Sequence, residues 1–113
     1  MAITASHIAS HMWSGGVMRV PIEDVYAQIR LFAAEFNARK VLLFGSRAKG
    51  TNRPKSDIDL AVAGCSDFDG LERHLQDDLW SLLKVDVINL DAPISESLRE
   101  QIKSEGKILY EKV

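Results

Sequence analysis

The sequence predicts an α/β domain in which short strands alternate with amphipathic helices around one small sheet. Short apolar and β-branched runs are typical of strands, and apolar residues at helical spacing lie between them. Glycines and prolines mark most of the junctions. With 113 residues the chain can bury one modest core but not two, so we expect a single domain over residues 21–113.

Residues 1–20 precede the first predicted element and show no sustained periodicity. They contain neither the basic start nor the long apolar core of a signal peptide. We expect a flexible leader here, and Ser10-His11-Met12 favours an origin in an expression vector. His7 and His11 have the spacing of a helical metal pair, but no third ligand is near, so we assign them no metal function.

Composition excludes several classes of protein. With 14 basic and 16 acidic residues and a net charge of −2, the chain offers no broad surface for nucleic acid, and we expect no nucleic-acid partner. The chain is 46% hydrophobic, yet no run approaches the ~20 apolar residues of a membrane helix. Cys65 is the single cysteine, so no disulfide framework can form. We expect a soluble protein of the reducing cytoplasm.

The first half of the chain predicts a helix, a strand and a short helical turn. Apolar residues recur at helical spacing between Pro21 and Asn37, and Pro21 suits a first helical turn. The run Val41–Phe44 is apolar throughout and stops at Gly45, as expected of a strand buried on both faces. Ser46–Lys49 then predicts the opening of a short helix, with amides at its start that can face an anion.

The second half predicts three more strands and two more helices. The strands follow from β-branched and apolar runs, and the helices from serine capping signals followed by apolar residues at helical spacing. In order, the elements are a strand from Asp57 to Val62, a helix of about four turns that starts at the Ser66–Asp69 capping signal and carries Leu71, Leu75, Leu79 and Leu82, a strand Lys84–Leu90, a helix capped by Ser95 and ended by Gly106, and a strand Lys107–Tyr110.

Three aspartates on two predicted strands are the candidate catalytic residues. Asp57 and Asp59 are two positions apart, so their side chains leave one face of a strand with Cβ atoms roughly 6.6 Å apart. Two carboxylates so close resist joint ionisation unless a cation neutralises them, which favours a bound divalent metal. Asp86 lies inside another strand and needs a partner, a metal or an exposed position on an edge strand.

The loop after the first strand is the candidate nucleotide-binding element. Gly45 permits a sharp turn, and Ser46 can offer a hydroxyl and an amide to a phosphate. Arg47 can hold phosphate oxygens with two nitrogens, and Lys49 adds a point charge. An ordinary strand-to-helix turn with solvated cations is the alternative. The Walker spacing is absent because Gly50 is followed by threonine instead of lysine.

The loop and the acids together resemble a known family. Gly45-Ser46-Arg47 with Lys49 and Gly50, followed by Asp57-x-Asp59, resembles the nucleotidyltransferase superfamily whose palm-like domain is shared with DNA polymerase beta. The short chain is similar to the minimal nucleotidyltransferases of that superfamily, which usually occur with a helical HEPN partner. The resemblance covers about residues 22–110 and implies a palm-like fold, with helices packed against a small mixed β-sheet.

The resemblance also implies a chemistry. Asp57, Asp59 and Asp86 would ligate two Mg²⁺ ions, or Mn²⁺, with ATP as the nucleotide, and Asp86 would help take the acceptor's proton. The residues expected to hold the nucleotide are Gly45, Ser46, Arg47 and Lys49. HEPN/MNT antitoxins of this kind imply transfer of AMP from ATP to a tyrosine of a HEPN toxin. A homodimer or a hetero-oligomer would then be the assembly.

Two other functions stay open at this stage. A non-catalytic module would neutralise a partner by complex formation alone, and a small-molecule adenylyltransferase would modify a soluble hydroxyl compound such as an antibiotic. The remaining titratable side chains have structural explanations. His74 is a lone histidine, the helical neighbours Asp77 and Asp78 point about 100° apart, and Asp91 suits a turn.

Overall fold

The computed structural model describes residues 20–113, so the predicted leader, with His7 and His11, lies outside the described residues except for Val20. The described part contains four helices and four strands. They are α1 (Ile22–Glu35), β1 (Lys40–Phe44), α2 (Ser46–Lys49), β2 (Ile58–Ala63), α3 (Phe68–Asp77), β3 (Val85–Asn89), α4 (Glu96–Glu105) and β4 (Lys107–Glu111). Over residues 20–113, no helix combines the length and the apolar character needed to cross a membrane.

The strands form one mixed sheet with the order β3-β2-β1-β4. Strand β1 runs antiparallel to both β2 and β4, whereas β2 and β3 are parallel. A parallel pair needs a crossover between its strands, and α3 lies in that connection. The predicted small mixed sheet with packed helices is therefore confirmed.

One face of the sheet carries the main hydrophobic core. Helices α1 and α3 supply Ile29, Leu71 and Leu75, each about 1% exposed, and β2 supplies Ile58 and Leu60, which are fully buried. Burying one such side chain contributes roughly 1.5–3 kcal/mol of transfer free energy. The amphipathic pattern predicted for these helices thus explains how the sheet is covered on this side.

The opposite face carries a smaller cluster, in which α4 packs on the centre of the sheet. Its buried members are Phe44 of β1, Ala61 of β2 and Ile102 of α4. Side chains alternate along a strand, so Asp59 leaves the same face of β2 as Ala61. Asp59 is also the register partner of Phe44. On this face of β2, the apolar cluster at Ala61 is therefore followed by the Asp59 carboxylate nearer the start of the strand.

Helix α3 differs from the prediction at both ends. Its cap is Asp67, whose side chain accepts the amide hydrogen of Gly70, and not Ser66. It ends at Asp77, so it has fewer turns than predicted, and Leu82 lies beyond it with 96% of its surface exposed. Carboxylates are unfavourable at the carbonyl end of a helix, which is the physical reason for the early end at the acidic pair.

The structural explanations for His74 and Asp91 are confirmed. The His74 ring packs edge-on against Phe32 and Phe36, with ring centroids 5.6 Å and 4.8 Å away. Its Nδ1 lies 3.1 Å from the carbonyl oxygen of Gly70. The Asp91 carboxylate accepts the amide hydrogen of Gly64 at 2.7 Å, which fixes the turn after β2.

Candidate active site

The end of the sheet where β1 stops and β2 begins collects the predicted site residues. Asp59 is paired in register with Phe44 on one side and with Asp86 on the other. Paired residues on neighbouring strands lie about 4.8 Å apart across the strands, and in a parallel pair their side chains leave the same face. The sheet therefore brings Asp59 and Asp86 together directly beside the turn at Gly45.

The Asp59 carboxyl has a raised pKa, which reports how acidic this end of the sheet is. Partial burial is the largest cause, followed by the negative charge of Asp86 and then that of Asp57. A hydrogen bond with Asp86 and the charge of Glu105 act in the same direction. Several carboxylates thus share a site in which full ionisation is costly, which is the condition that a divalent cation relieves.

Asp57 stands just outside the strand, because β2 begins at Ile58 and not at Asp57 as predicted. It is exposed, and its charge reaches Asp59. Within residues 20–113, no three Asp, Glu, His or Cys side chains already form a metal-ligating group. Asp59 and Asp86 are register partners on neighbouring strands, whereas Asp57 lies just before the strand. The two-ion site stays a prediction.

The donor set fits a hard divalent cation. Its donor atoms are carboxylate oxygens, which Mg²⁺ and Mn²⁺ prefer and which zinc sites seldom use alone. Asp86 has one basic neighbour, Lys84, whose Nζ lies 3.7 Å from a carboxylate oxygen. The Lys84 side chain is 70% exposed, so solvent screens this pair and it offsets little of the local negative charge.

Gly45 brings the loop backbone against the acids, and only glycine fits there. Its φ of 76° lies in the region that side chains disfavour. A Cβ at this position would overlap the Oδ2 atom of Asp59. Gly50, at the other end of α2, has a similar φ of 77°, but no atom lies within 4 Å of the corresponding Cβ position. Glycine is therefore needed at position 45 for two reasons: the positive φ, and the close approach of the backbone to Asp59.

Helix α2 is the short helix that the sequence predicts, and Ser46 is its first residue. The carbonyl oxygen of Gly45 accepts the amide hydrogens of Ala48 and Lys49, each at 3.1 Å. Ala48 is 1% exposed and fixes the turn in the main core. Ser46 is half-buried directly after the glycine, and its role toward a phosphate stays a prediction.

Arg47 has structural contacts that the sequence did not reveal. Its Nε donates to the carbonyl oxygen of Ser56 at 3.1 Å, and its Nη2 donates to that of Pro54 at 3.0 Å. These carbonyls lie in the loop that leads to Asp57. The structure thus places the guanidinium as a brace between α2 and this loop. Phosphate binding by Arg47 stays a prediction.

Glu105 is a residue of this site that the sequence analysis missed. It is the last residue of α4, and its Oε1 accepts the Gly45 amide hydrogen at 3.0 Å. Its Oε2 lies 3.5 Å from Nζ of Lys49. Partial burial acts to raise the pKa of the Glu105 carboxyl, but hydrogen bonds from Gln101 and Gly45 and the charge of Lys49 outweigh it and lower the pKa.

One signal in the sequence could have indicated Glu105. An acidic side chain in the last turn of a helix is destabilised by the negative end of the helix dipole. An acid directly before Gly106 therefore indicates that a hydrogen-bond donor or a cation stabilises it. The identity of that partner depends on how α4 packs against β1. Local spacing carries no information about that contact.

Comparison with known proteins identifies the class to which this fold and site belong. Residues 28–113 match the family model of the nucleotidyltransferase domain of polymerase beta. The chain belongs to this nucleotidyltransferase family. It is also 38% identical over 72 residues to the protein adenylyltransferase MntA of Shewanella oneidensis, an alignment that covers 62% of this chain and 52% of MntA. The chain thus spans about half the length of this relative.

Solved structures confirm the palm-like fold. A crystal structure of a toxin–antitoxin with AMP-PNP superposes with a TM-score of 0.62 at 26% sequence identity, over 77% of this chain and 73% of that one. A minimal nucleotidyltransferase superposes with a TM-score of 0.61 at 27% identity, over 80% of this chain and 98% of that one. The resemblance inferred from the glycine loop and the aspartates is therefore confirmed at the level of family and fold.

Proposed function

We propose that this chain transfers AMP from ATP onto a hydroxyl group, that the acceptor is a tyrosine of a HEPN-type toxin, and that the chain acts as an antitoxin through this reaction. One observation carries the proposal: Asp59 is the register partner of Asp86 on the neighbouring strand, and its carboxylate lies against the glycine turn. Membership in the nucleotidyltransferase family and the similarity to MntA support it.

The glycine turn and helix α2 are proposed to hold the triphosphate. Ser46 supplies a hydroxyl and an amide directly after the turn, and Lys49 lies one helical turn further. The Lys49 ammonium group and the Gly45 amide both contact the Glu105 carboxylate, so they lie on the same side of the loop. Backbone amides and an ammonium group are suitable ligands for phosphate oxygens. The similar toxin–antitoxin structure was solved with the nucleotide analogue AMP-PNP, which supports a nucleotide as the substrate.

The three aspartates are proposed to hold the divalent cations. Asp59 is near Asp57 in the sequence and is the register partner of Asp86, so we propose that it would ligate both ions. When bound, Mg²⁺ or Mn²⁺ neutralises the triphosphate and lowers the pKa of the acceptor hydroxyl. Asp86 lies on the edge strand β3, where an acceptor hydroxyl can approach from solvent, and we propose that it accepts the hydroxyl proton.

The proposed step is an in-line displacement at the α-phosphorus of ATP. The tyrosine hydroxyl oxygen forms a bond to phosphorus, and the bond from phosphorus to the oxygen that bridges to the β-phosphate breaks. Pyrophosphate leaves with that electron pair, and the hydroxyl proton passes to Asp86 and then to water. The protein's contribution is position and charge, which is typical of enzymes that transfer phosphoryl groups.

We place this reaction in the cytoplasm, in a complex of the chain with its toxin. The buried thiol of Cys65, which donates to the carbonyl oxygen of Phe36, is compatible with a reducing compartment. The relation to a solved toxin–antitoxin supports a hetero-oligomer. A homodimer of the chain within that complex is compatible with the same proposal.

Mass spectrometry of a mixture with the toxin tests the function. The chain is incubated with a HEPN-type toxin, Mg²⁺ and ATP, and the toxin is weighed and mapped. We expect the toxin to gain the mass of AMP on a tyrosine. The Asp59→Asn chain and a toxin with that tyrosine changed to phenylalanine should both give no gain.

The same experiment separates the two alternatives. A toxin that the chain binds and neutralises with no change in mass would identify a non-catalytic module and contradict the proposal. Pyrophosphate release with a soluble hydroxyl compound, in the absence of the toxin, would identify a small-molecule adenylyltransferase. Release that requires the toxin supports the proposed acceptor.

A further inference from the structure

Glu105 contacts two of the groups that the proposed function assigns to the phosphates of ATP. Its Oε1 accepts the Gly45 amide hydrogen at 3.0 Å, and its Oε2 lies 3.5 Å from the Lys49 ammonium nitrogen. Both partners belong to the predicted nucleotide-binding loop. A carboxylate of the protein itself therefore holds the donors that an incoming phosphate needs.

The position of this carboxylate is built into the fold. Ile102, one turn earlier in α4, is 2% exposed in the small apolar cluster and fixes the helix against β1. The Gln101 side chain donates to Oε1 of Glu105 at 3.3 Å. Only 17% of the Glu105 side chain is exposed. The contact is thus supported from its own helix and is partly shielded from water.

The other side of the contact is equally constrained. The Gly45 turn lies against the Asp59 carboxylate, which leaves no room for even a Cβ atom on that side. One N–H group makes one good hydrogen bond, and a carboxylate and a phosphate oxygen compete for it. Two anions that approach the same donors also repel each other. A phosphate held by these two donors would therefore displace Glu105.

We propose that Glu105 is an internal competitor of the nucleotide: the triphosphate displaces its carboxylate from the Gly45 amide and the Lys49 ammonium group, and this displacement sets the affinity for ATP. The inference rests on the proposed function and adds to it a residue that controls nucleotide binding. The apparent association constant for ATP equals the intrinsic constant multiplied by the fraction of molecules in which Glu105 has released the loop.

Calorimetric titration of the full chain tests the competition. Three probes are used: ATP with Mg²⁺, inorganic triphosphate with Mg²⁺, and adenosine. Glu105→Ala should bind ATP and inorganic triphosphate roughly threefold to tenfold more tightly than the wild-type chain, because the loop is then open in every molecule. Adenosine carries no phosphate, so its affinity should not change between the two chains.

Three matched variants separate competition from charge alone. Glu105→Asp keeps the charge but is one methylene shorter, so it should lose the Gly45 contact and bind the triphosphate more tightly. Glu105→Gln keeps a neutral acceptor of the same length and should lie between the wild-type chain and Glu105→Ala. Glu100→Gln removes one exposed charge from the same helix and should match the wild-type chain.

A nuclear magnetic resonance measurement reports the contact directly. The Gly45 amide signal of the wild-type chain without nucleotide should move on Glu105→Ala substitution. Addition of inorganic triphosphate to the wild-type chain should move that signal as well. A Gly45 signal that neither change affects would overturn the inference. Glu105→Gln serves for both measurements if the alanine variant does not fold.

The failures of this inference and of the proposed function are distinguishable. If the wild-type chain binds ATP but Glu105→Ala binds it equally or less tightly, Glu105 positions the loop and the competition is refuted. If Glu105→Asp matches the wild-type chain while Glu105→Gln matches Glu105→Ala, net charge is the cause and the competition is also refuted. If the wild-type chain binds neither ATP nor inorganic triphosphate, the proposed function fails and this inference fails with it.

Discussion

The two faces of the sheet differ in what they do. On the face covered by α1 and α3, β2 contributes Ile58 and Leu60, which are fully buried among other apolar side chains. On the face covered by α4, the same strand contributes Asp59, whose pKa is raised by burial and by neighbouring carboxylates. Alternate residues of a single strand thus serve stability on one side and the candidate site on the other.

The difference shows where this molecule gives up stability. On the core face, each buried apolar side chain stabilises the folded state, because unfolding would expose it to water. On the site face, like charges repel one another in the folded state and destabilise it. Active sites often carry such unfavourable arrangements, because the chemistry needs them. Substitutions on the two faces should therefore have opposite effects on stability and on activity.

The largest effect on stability should come from the core face. Leu60→Ala removes most of a side chain that is fully buried in the centre of the sheet, so we expect it to destabilise the fold by about 2–5 kcal/mol. Leu82→Ala is the control, since Leu82 is 96% exposed and should change stability little. Urea unfolding followed by circular dichroism measures both. Equal midpoints for the two variants would contradict the assignment of the core.

The largest effect on activity should come from the other face of the same strand. Asp59→Asn removes the charge that faces both Asp57 and Asp86, so transfer of AMP should fall by more than ~10²-fold while the fold persists. Asp69→Asn, an exposed aspartate at the start of α3, should keep wild-type turnover. The rate of AMP transfer to the toxin measures both, and wild-type turnover of Asp59→Asn would contradict the site.

Much of the fold was predictable because its signals are local. Strand β1 before Gly45, the Ser95 cap of α4 and the short helix α2 each follow from a run or spacing of a few residues. The length of α3 was not predictable, because leucines at helical spacing continue past Asp77 while the chain turns there. Periodicity identifies a helix better than it locates the helix end.

The site was predictable to the extent that strand geometry determines it. Asp59 and Asp86 belong to strands that the family resemblance makes neighbours, and the register pairs them. Glu105 and the brace at Arg47 were not predictable, because each depends on a contact between elements. The Glu105 contact joins residues 60 positions apart. The place of Glu105 in the last turn of α4 indicates that it needs a partner, but not that the partner is the Gly45 loop.

A smaller effect should separate the two glycines that bound α2. Gly50→Ala places a side chain in the left-handed helical region, which costs about 1–2 kcal/mol. Gly45, at φ 76° and ψ −159°, lies in a region that is essentially restricted to glycine, so Gly45→Ala should destabilise the fold more. Only at Gly45 does the added Cβ meet the Asp59 carboxylate, so only Gly45→Ala should also lower AMP transfer, by roughly tenfold or more. Thermal unfolding and transfer rates are measured together. Equal rates for the two variants would show that the close approach is unimportant.

The brace at Arg47 predicts a particular pattern of kinetic change. Arg47→Ala frees the carbonyls of Pro54 and Ser56 and loosens the loop that leads to Asp57, so we expect kcat to fall severalfold. If Arg47 instead binds the nucleotide phosphates, the KM for ATP should rise while kcat stays near wild type. Steady-state kinetics with saturating toxin distinguishes the two. Arg53→Ala, in the same loop and exposed, is the matched control.

The smallest predicted effect is a pH dependence of thermal stability, which follows from the repulsion between carboxylates on the face covered by α4. The folded chain holds the Asp59 proton more tightly than the unfolded chain, because folding raises the pKa above its ordinary value of 3.8. The stability from this proton is fully present below pH 3.8 and is lost as the pH rises through the raised pKa. Without Mg²⁺, Asp59→Asn should therefore have a Tm close to wild type at low pH and a higher one, by roughly 1–4 °C, at neutral pH.

Magnesium should reverse this order at neutral pH. A cation that binds the folded wild-type chain raises its Tm in proportion to the logarithm of its concentration above the Kd. Asp59→Asn lacks the central carboxylate and should gain little. Differential scanning calorimetry across pH, with and without Mg²⁺, measures both effects. A wild-type chain that is more stable than Asp59→Asn at neutral pH without Mg²⁺ would mean that the carboxylates do not repel, and the contrast between the two faces would then be wrong.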